Sequence, residues 1–394
     1  MEFPELGAVV FRSGWSPDDI VMNFRCGHFY NHQHYDQGSF QLNAYGVSLI
    51  PEAGWANYYN DPWYRRYYIQ PVGHNTLLLD EDAGSQESGD YLHFIKAADR
   101  SAKITDFITT DSYSSTTGEL ANLYYGKLSL FERNIIFMHR RYFVIYDRVK
   151  SSKVPHEYDL LFHFNDLKEV SLKSKNTFTF RTDSASLYSQ VVFPDKPKLE
   201  LFDGPIHFGV PIKRPGYVQV SNSAKSMGEN FVTVLYPVKG DRNITSVSKD
   251  IERLKGQGYI GLRVENDKEV DVFLFKTWKA NMNGEGISTD GRIAEITLNH
   301  NMPSHFAANE ASYLSYKGEE LIKASTRVTF SGRRYSKGED WQINTKRACK
   351  VNLQLPFEPK EIRLNGTRLM GTRIIGRVLD VVLPAGNDSL EIRP

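Results

Sequence analysis

Cysteine is nearly absent: Cys26 and Cys349 are the only two in 394 residues, far apart and in no CxxC pair. That excludes a disulfide framework and a thiolate zinc site, and leaves at most one isolated bridge. A dominant sign of charge is missing too. The 48 Lys and Arg against 47 Asp and Glu give a net charge of +1, which argues against a general nucleic-acid binder. No apolar run approaches the length of a membrane-spanning helix. The N-terminal residues Met1-Glu2-Phe3-Pro4-Glu5 are acidic and carry no apolar signal-peptide core, so taken literally the chain is cytoplasmic. Amphipathic helical patterns are scarce, and Lys249–Lys255 is the short candidate.

Aromatics, by contrast, are abundant: 22 Tyr, 23 Phe and 5 Trp. These side chains suit pleated surfaces, and Tyr and Trp also stack on sugar rings. The periodicity is that of strands. Ser39-Phe40-Gln41-Leu42-Asn43-Ala44-Tyr45 alternates polar and apolar, which places one set of side chains on each face of a sheet. Thr76–Asp80 reads as a buried strand. The runs Asn134–His139 and Tyr142–Asp147, separated by Arg140-Arg141, predict a hairpin. Further short runs at Leu160–Phe164, Phe178–Arg181, Phe231–Tyr236 and Val270–Phe275 continue the series. Toward the C-terminus, Val351–Leu355 alternates, Glu361–Gly366 reads as a strand entering a tight turn, and Ser389–Arg393 as a closing strand. The expected fold is all-β: a large multi-sheet antiparallel β-sandwich over residues 1–305, then a smaller two-layer β-sandwich over 306–394.

Chemistry concentrates between residues 24 and 80. Four of the 11 histidines, His28, His32, His34 and His74, fall between residues 28 and 74. On a strand, His32 and His34 point to one face, with Asn31 and Gln33 on the other as structural residues. Glu52 and His74 follow in Pro51-Glu52-Ala53-Gly54-Trp55 and Val72-Gly73-His74-Asn75-Thr76. Two imidazoles and a carboxylate form a standard zinc ligand set with an open position, and suit zinc over calcium or magnesium. An HxH pair alone does not choose between packing and ligation, and spacing does not establish that Glu52 and His74 join it.

The order of these motifs carries more weight. Arg12-Ser13-Gly14-Trp15, then Asn31-His32-Gln33-His34-Tyr35-Asp36-Gln37-Gly38-Ser39-Phe40, then Glu52-Ala53-Gly54, then Gly73-His74-Asn75-Thr76 together resemble the heparinase II/III-like polysaccharide lyases. The resemblance covers about residues 9 to 80, and the remainder is similar only as a large sandwich followed by a small one. It implies cleavage of uronic-acid-containing acidic polysaccharides, such as glycosaminoglycans or alginate, by β-elimination. It places His32 in the catalytic cleft and gives His34, Glu52 and His74 a mainly structural zinc ion. Glu52 departs from the Asp more familiar at that position. Asp36 is expected to orient a metal-bound imidazole or to pair locally. The resemblance also implies a helical domain ahead of the sandwich. That domain is not matched here, so the isolated chain is expected to be weak or inactive. A bacterial periplasmic or secreted location follows by resemblance only.

The segment Trp55–Tyr68 is dense in aromatics and holds Arg65 and Arg66. Arginine pairs with carboxylate or sulfate, and aromatic faces stack on sugars, so Tyr58, Trp63, Arg65 and Arg66 are read as a substrate-facing loop. Tyr59 is the candidate for a tyrosine near the chemistry. Three other functions stay open: a non-catalytic carbohydrate-binding module, a metal-dependent glycan hydrolase, and a structural β-protein. Tyr59→Phe is expected to abolish most of any eliminase turnover, and unchanged turnover would remove Tyr59 from the site.

Overall fold

A computed structural model describes residues 1–29, 34–56, 58–86, 101–206, 213–240, 250–266, 269–277, 280–370 and 372–394. The protein is all-β, 61% strand and 5% helix. It divides into two compact units: Met1–Phe107 with Ser115–Ser248, and Ile108–Ser114 with Lys249–Pro394. The strand Met302–Tyr316 runs through the boundary expected at 305/306 and lies within the second unit.

The first unit contains antiparallel sheets of five, eight and four strands. The five-stranded sheet is a meander whose first long strand, Ala8–Arg12, alternates in burial as its Val and Phe turn inward. The predicted hairpin forms as Leu128–Met138 paired with Tyr142–Ser151, with His139 and Arg140 left-handed in the turn. Strand Tyr158–Phe164 is buried along its whole length, as expected of a strand covered on both faces. Phe11 of the five-stranded sheet meets Phe137 and Phe143 of the eight-stranded sheet edge-on, at 6.3 and 6.0 Å between ring centroids. Phe162 of the four-stranded sheet touches Phe40 on one side and Phe178 on the other, at 6.0 and 5.3 Å. Three sheets therefore share one core, an arrangement that excludes water from the segments between them.

The second unit is one sheet of 15 strands among the described residues. Strand Glu319–Tyr335 pairs with Cys349–Gln354 through Ile322–Ala324, and with Gly338–Thr345 through Val328–Tyr335. One long strand thus feeds two partners and folds the sheet into two layers over the Phe330, Trp341 and Ile343 core. The helix expected at Lys249–Lys255 is not formed. Residues Ile251–Gly256 are a strand paired antiparallel with Tyr259–Asn266. Ile251 and Leu254 imitate one helical turn, but so short a helix is marginal, and the neighbouring strand supplies a full ladder. Cys26 and Cys349 are free and buried.

A carboxylate lies buried where the four-stranded sheet packs. Asp159 accepts from Ser221 Oγ at 2.6 Å and from the Glu81 amide at 2.9 Å. Burial nevertheless pushes its pKa up to about 6. An acid raised in the folded state binds its proton on folding, so the protein loses stability as pH rises from about 4 to about 6. Relative to Asp159→Asn, the wild type should lose on the order of 2 kcal/mol over that window and no more above it. Urea unfolding at stepped pH measures this, and a pH-independent difference would refute it.

Candidate active site

Two segments of the first unit carry the imidazoles of the site, and Glu52 follows strand Val47–Ile50 between them. The first leaves strand Val21–Arg25, passes His34 and Asp36, and re-enters the sheet as Phe40–Ala44. Its return is a tight turn: the Arg25 amide bonds the Ser39 carbonyl, the Gly38 amide bonds the Arg25 carbonyl, and Gly38 is left-handed. A Cβ on Gly38 would sit 2.9 Å from Thr76 Oγ1, so glycine satisfies both the backbone and the close approach. The second segment, Val72–Thr76, runs from a short 3-10 turn into strand Leu77–Leu79.

Arg133 holds the two together. Its guanidinium is buried and forks onto Asp147, Nε to Oδ1 at 2.8 Å and Nη2 to Oδ2 at 3.1 Å. The remaining nitrogen, Nη1, donates to the Gly38 carbonyl at 2.5 Å and the Asn75 carbonyl at 2.8 Å. Asn75 completes the join. Its Nδ2 donates to the Phe40 and Pro51 carbonyls, and its Oδ1 accepts the His163 amide. The His163 ring lies between Asn75 Oδ1 and the Val72 carbonyl, at 3.1 and 3.0 Å. Burial holds this imidazole at about 4, so the ring is neutral and has one N–H for two acceptors.

On this frame His34, Glu52 and His74 come together. The His34 and His74 rings are 5.2 Å apart. One Glu52 oxygen bonds His74 Nδ1 and the other accepts from Ser39 Oγ. His34 is held down to about 4 by burial and by the neighbouring His74 charge. Burial opposes charge on Glu52 and His74 as well, yet each attracts the other's charged form, so the acid is lowered and the base raised. His74 Nε2 is buried and has no hydrogen bond of normal geometry among the described residues, which is the kind of orphan that ligation satisfies. The donors suit a zinc ion chemically. As the side chains lie, however, no three His, Cys, Asp or Glu among the described residues surround a common point. Glu52 stands behind His74, in the place of an orienting carboxylate.

A cleft of ≈ 740 Å³ opens over this cluster and is lined by Arg25, His34, Asp36, Glu52, Trp55 and His74 among others. His34 lies outside any strand, so the alternation expected to align it with His32 does not apply there. His32, Asn31 and Gln33 fall outside the described residues. His28 is exposed. Asp36 pairs with Arg25 Nε at 3.3 Å and accepts from Gln37 Nε2 at 3.0 Å; no hydrogen bond joins it to an imidazole among the described residues, so its contacts are of the local kind.

The aromatic segment is split. Tyr67 and Tyr68 are buried, while Trp55, Tyr58, Tyr59 and Trp63 are 61, 71, 66 and 49% exposed, and Arg65 and Arg66 face solvent. Residues Tyr64–Tyr68 form a wide π-type turn, in which the Tyr68 amide reaches the Trp63 carbonyl at 3.0 Å. Such turns recur at functional sites. Tyr59 stacks edge-on to Tyr64 at 5.2 Å and is not among the cleft-lining residues. Sequence reasoning passed over Arg25, Ser39, Arg133, Asp147 and His163. The signal for three of them was a polar residue inside an apolar strand: Arg133 before Asn134-Ile135-Ile136, Asp147 after Val144-Ile145-Tyr146, and His163 within Leu160-Leu161-Phe162-His163-Phe164.

Residues 1–209 match the family model described as heparinase II/III-like, C-terminal. The chain belongs to the heparinase II/III-like family, and the whole site lies within the matched segment. A heparin-sulfate lyase from Pedobacter heparinus is 26% identical over 252 residues, covering 60% of this chain and 34% of the relative. The fold is shared with solved lyases. A heparan sulfate lyase from Pedobacter heparinus aligns at a TM-score of 0.55, 20% identity, over 71% of this chain and 42% of that one. A chondroitin AC lyase from Streptomyces coelicolor A3 aligns at a TM-score of 0.55, 11% identity, over 98% of this chain and 48% of that one. The chain therefore spans between a third and a half of the length of these relatives.

Arg133→Met leaves Asp147 buried without its cation and two carbonyls without donors. It should cost about 3–5 kcal/mol in chemical unfolding, with Arg133→Met/Asp147→Leu recovering part of that loss. A single variant as stable as wild type would contradict the clamp.

Proposed function

We propose that this chain is the sandwich portion of a polysaccharide lyase that cleaves acidic, uronic-acid-containing polysaccharides by β-elimination. The observation that carries the proposal is the convergence of His34, Glu52, His74 and Arg25 on one cleft within the family-matched segment. The named relatives act on heparan sulfate and chondroitin, and the cleft offers Arg25 to an anionic group and Trp55 to a sugar face.

In the proposed reaction a base removes the proton at C5 of a uronate, and the electron pair forms the C4–C5 double bond as the C4–O bond breaks. An acid then protonates the leaving oxygen. The C5 proton becomes acidic only when the adjacent carboxylate charge is offset. Arg25, on the cleft wall beside Asp36, is suited to that offset. His32 and Tyr59 are the proposed proton carriers, with Tyr58, Trp63, Arg65 and Arg66 holding the sugar chain. A zinc ion on His34 and His74, with Glu52 as ligand or orienting acceptor, would fix the cleft floor without taking part in proton transfer. Further groups are proposed to come from a helical domain. A bacterial periplasmic or secreted location is part of the proposal, on the family resemblance alone.

One observation favours a second reading. The exposed Trp55, Tyr58 and Trp63 beside two arginines would serve a non-catalytic carbohydrate-binding module equally well. Product chemistry separates the two: a lyase leaves an unsaturated uronate with ultraviolet absorbance, a hydrolase leaves saturated ends, and a module leaves the polymer intact. Turnover should be weak in the isolated chain, rise when a relative's helical domain is supplied, and vanish in His32→Ala. Failure of any unsaturated product to appear with the helical domain present would overturn the lyase proposal. Metal analysis of the purified chain should find one zinc, lost in both His34→Ala and Glu52→Ala. A metal-free, equally stable set of three proteins would remove the ion.

A further inference from the structure

The second unit ends in a feature that the cleft does not use. Between Ile362 and Leu379 the sequence holds Arg363, Arg368, Arg373 and Arg377 and no Asp or Glu, in a chain whose net charge is only +1. All four arginines are exposed. The topology gathers them. Thr367–Arg368 is the outermost strand of one layer, and Arg373–Ile375 pairs only with Val378–Leu383 at the end of the other. Among the described residues, Arg368 and Arg373 therefore lie on edge strands of the sheet, with Arg363 and Arg377 on or beside the strands they pair with.

The register sets Arg363 between Arg368 on one side and Glu391 on the other, and Arg373 opposite Asp380. The Arg363–Arg368 pairing costs stability, which Glu361 beside Arg363 offsets from within the chain. Nearby carboxylates are already engaged. Glu361 accepts from Arg363 Nε at 2.8 Å, Asp380 holds Lys350 Nζ at 3.1 Å, and Glu391 pairs with Arg393 at 3.5 Å. Among the described residues, Arg368, Arg373 and Arg377 have no ion pair. Edge-strand charge alone would guard the sheet against pairing with another chain. That role does not account for the apolar side chains set among the arginines, Met370 at 82% and Ile375 at 58% exposed. Planar guanidinium forks spaced with apolar surface fit a polymer that alternates sulfate or carboxylate groups with sugar faces.

We propose that this arginine edge is a second, non-catalytic site that grips an acidic polysaccharide chain. The proposal rests on the lyase reading for its choice of polyanion. It is tested on the full chain by titrating size-defined heparin at two or more salt concentrations. The comparison is Arg368→Gln/Arg373→Gln/Arg377→Gln against Lys153→Gln/Lys173→Gln/Lys175→Gln, which removes the same charge from exposed positions of the first unit. Thermal unfolding checks that both remain folded. The edge variant should bind about tenfold more weakly, with a salt slope reduced by about three, while the control stays within about twofold of wild type. Equal affinity in the edge variant, or an equal loss in the control, would overturn the site. Tighter binding of duplex DNA than of heparin, lost in the same variant, would overturn the choice of polysaccharide. A wild-type dimer dissolved by the edge substitutions with heparin affinity intact would assign the surface to a second copy instead. If no unsaturated product forms but the edge variant loses heparin, the lyase reading fails and the edge stands. If product forms and the edge variant binds normally, the edge alone fails.

Discussion

The candidate site depends on a single buried ion pair. Arg133 and Asp147 face each other across the hairpin of the eight-stranded sheet, both about 1% exposed. Burying two charges is costly, and a fork geometry in which every guanidinium nitrogen donates is what makes it tolerable. The two contacts that complete the fork are the carbonyls of Gly38 and Asn75. These are the residues beside Ser39, which supports Glu52, and beside His74. One guanidinium therefore sets the distance between the two segments that carry the imidazoles, and does so from a rigid sheet rather than from a loop.

The chemistry above that clamp follows from burial. Glu52 and His74 each favour the other's charged form against the cost of burial, while burial without a hydrogen-bonded carboxylate holds His34 and His163 neutral. Neutral imidazoles are the form that ligates metal or accepts a proton. The cleft thus holds the Glu52–His74 pair beside the neutral His34 ring, with Arg25 and its partner Asp36 on the wall. The exposed Tyr58, Tyr59, Trp63, Arg65 and Arg66 stand apart from this floor, outside the cleft lining.

Much of the architecture was legible in one dimension. Two-residue alternation at Phe40–Ala44 and within Val351–Leu355 reports a sheet with one face buried, and the structure reproduces it. Alternation misleads where it is short. Ile251 and Leu254 satisfy a helical spacing as well as an edge strand, and pairing with Tyr259–Asn266 decided the matter. It also misleads where no ladder forms. His34 sits in an irregular turn, so its direction follows from the Gly38 turn and the Arg25 backbone bonds rather than from parity.

The residues alone determined that the chain is built of strands and that its cysteines form no framework, because these are properties of composition and period, while the grouping of His34, Glu52 and His74 came from resemblance to a family. Only the tertiary structure decided that Glu52 bonds Nδ1 of His74, that Asp36 turns to Arg25, and that a guanidinium 95 positions from Gly38 holds the turn in place. Those contacts join residues distant in sequence, and the free energy that selects them is the desolvation and pairing of charge inside a packed core, which no local pattern encodes.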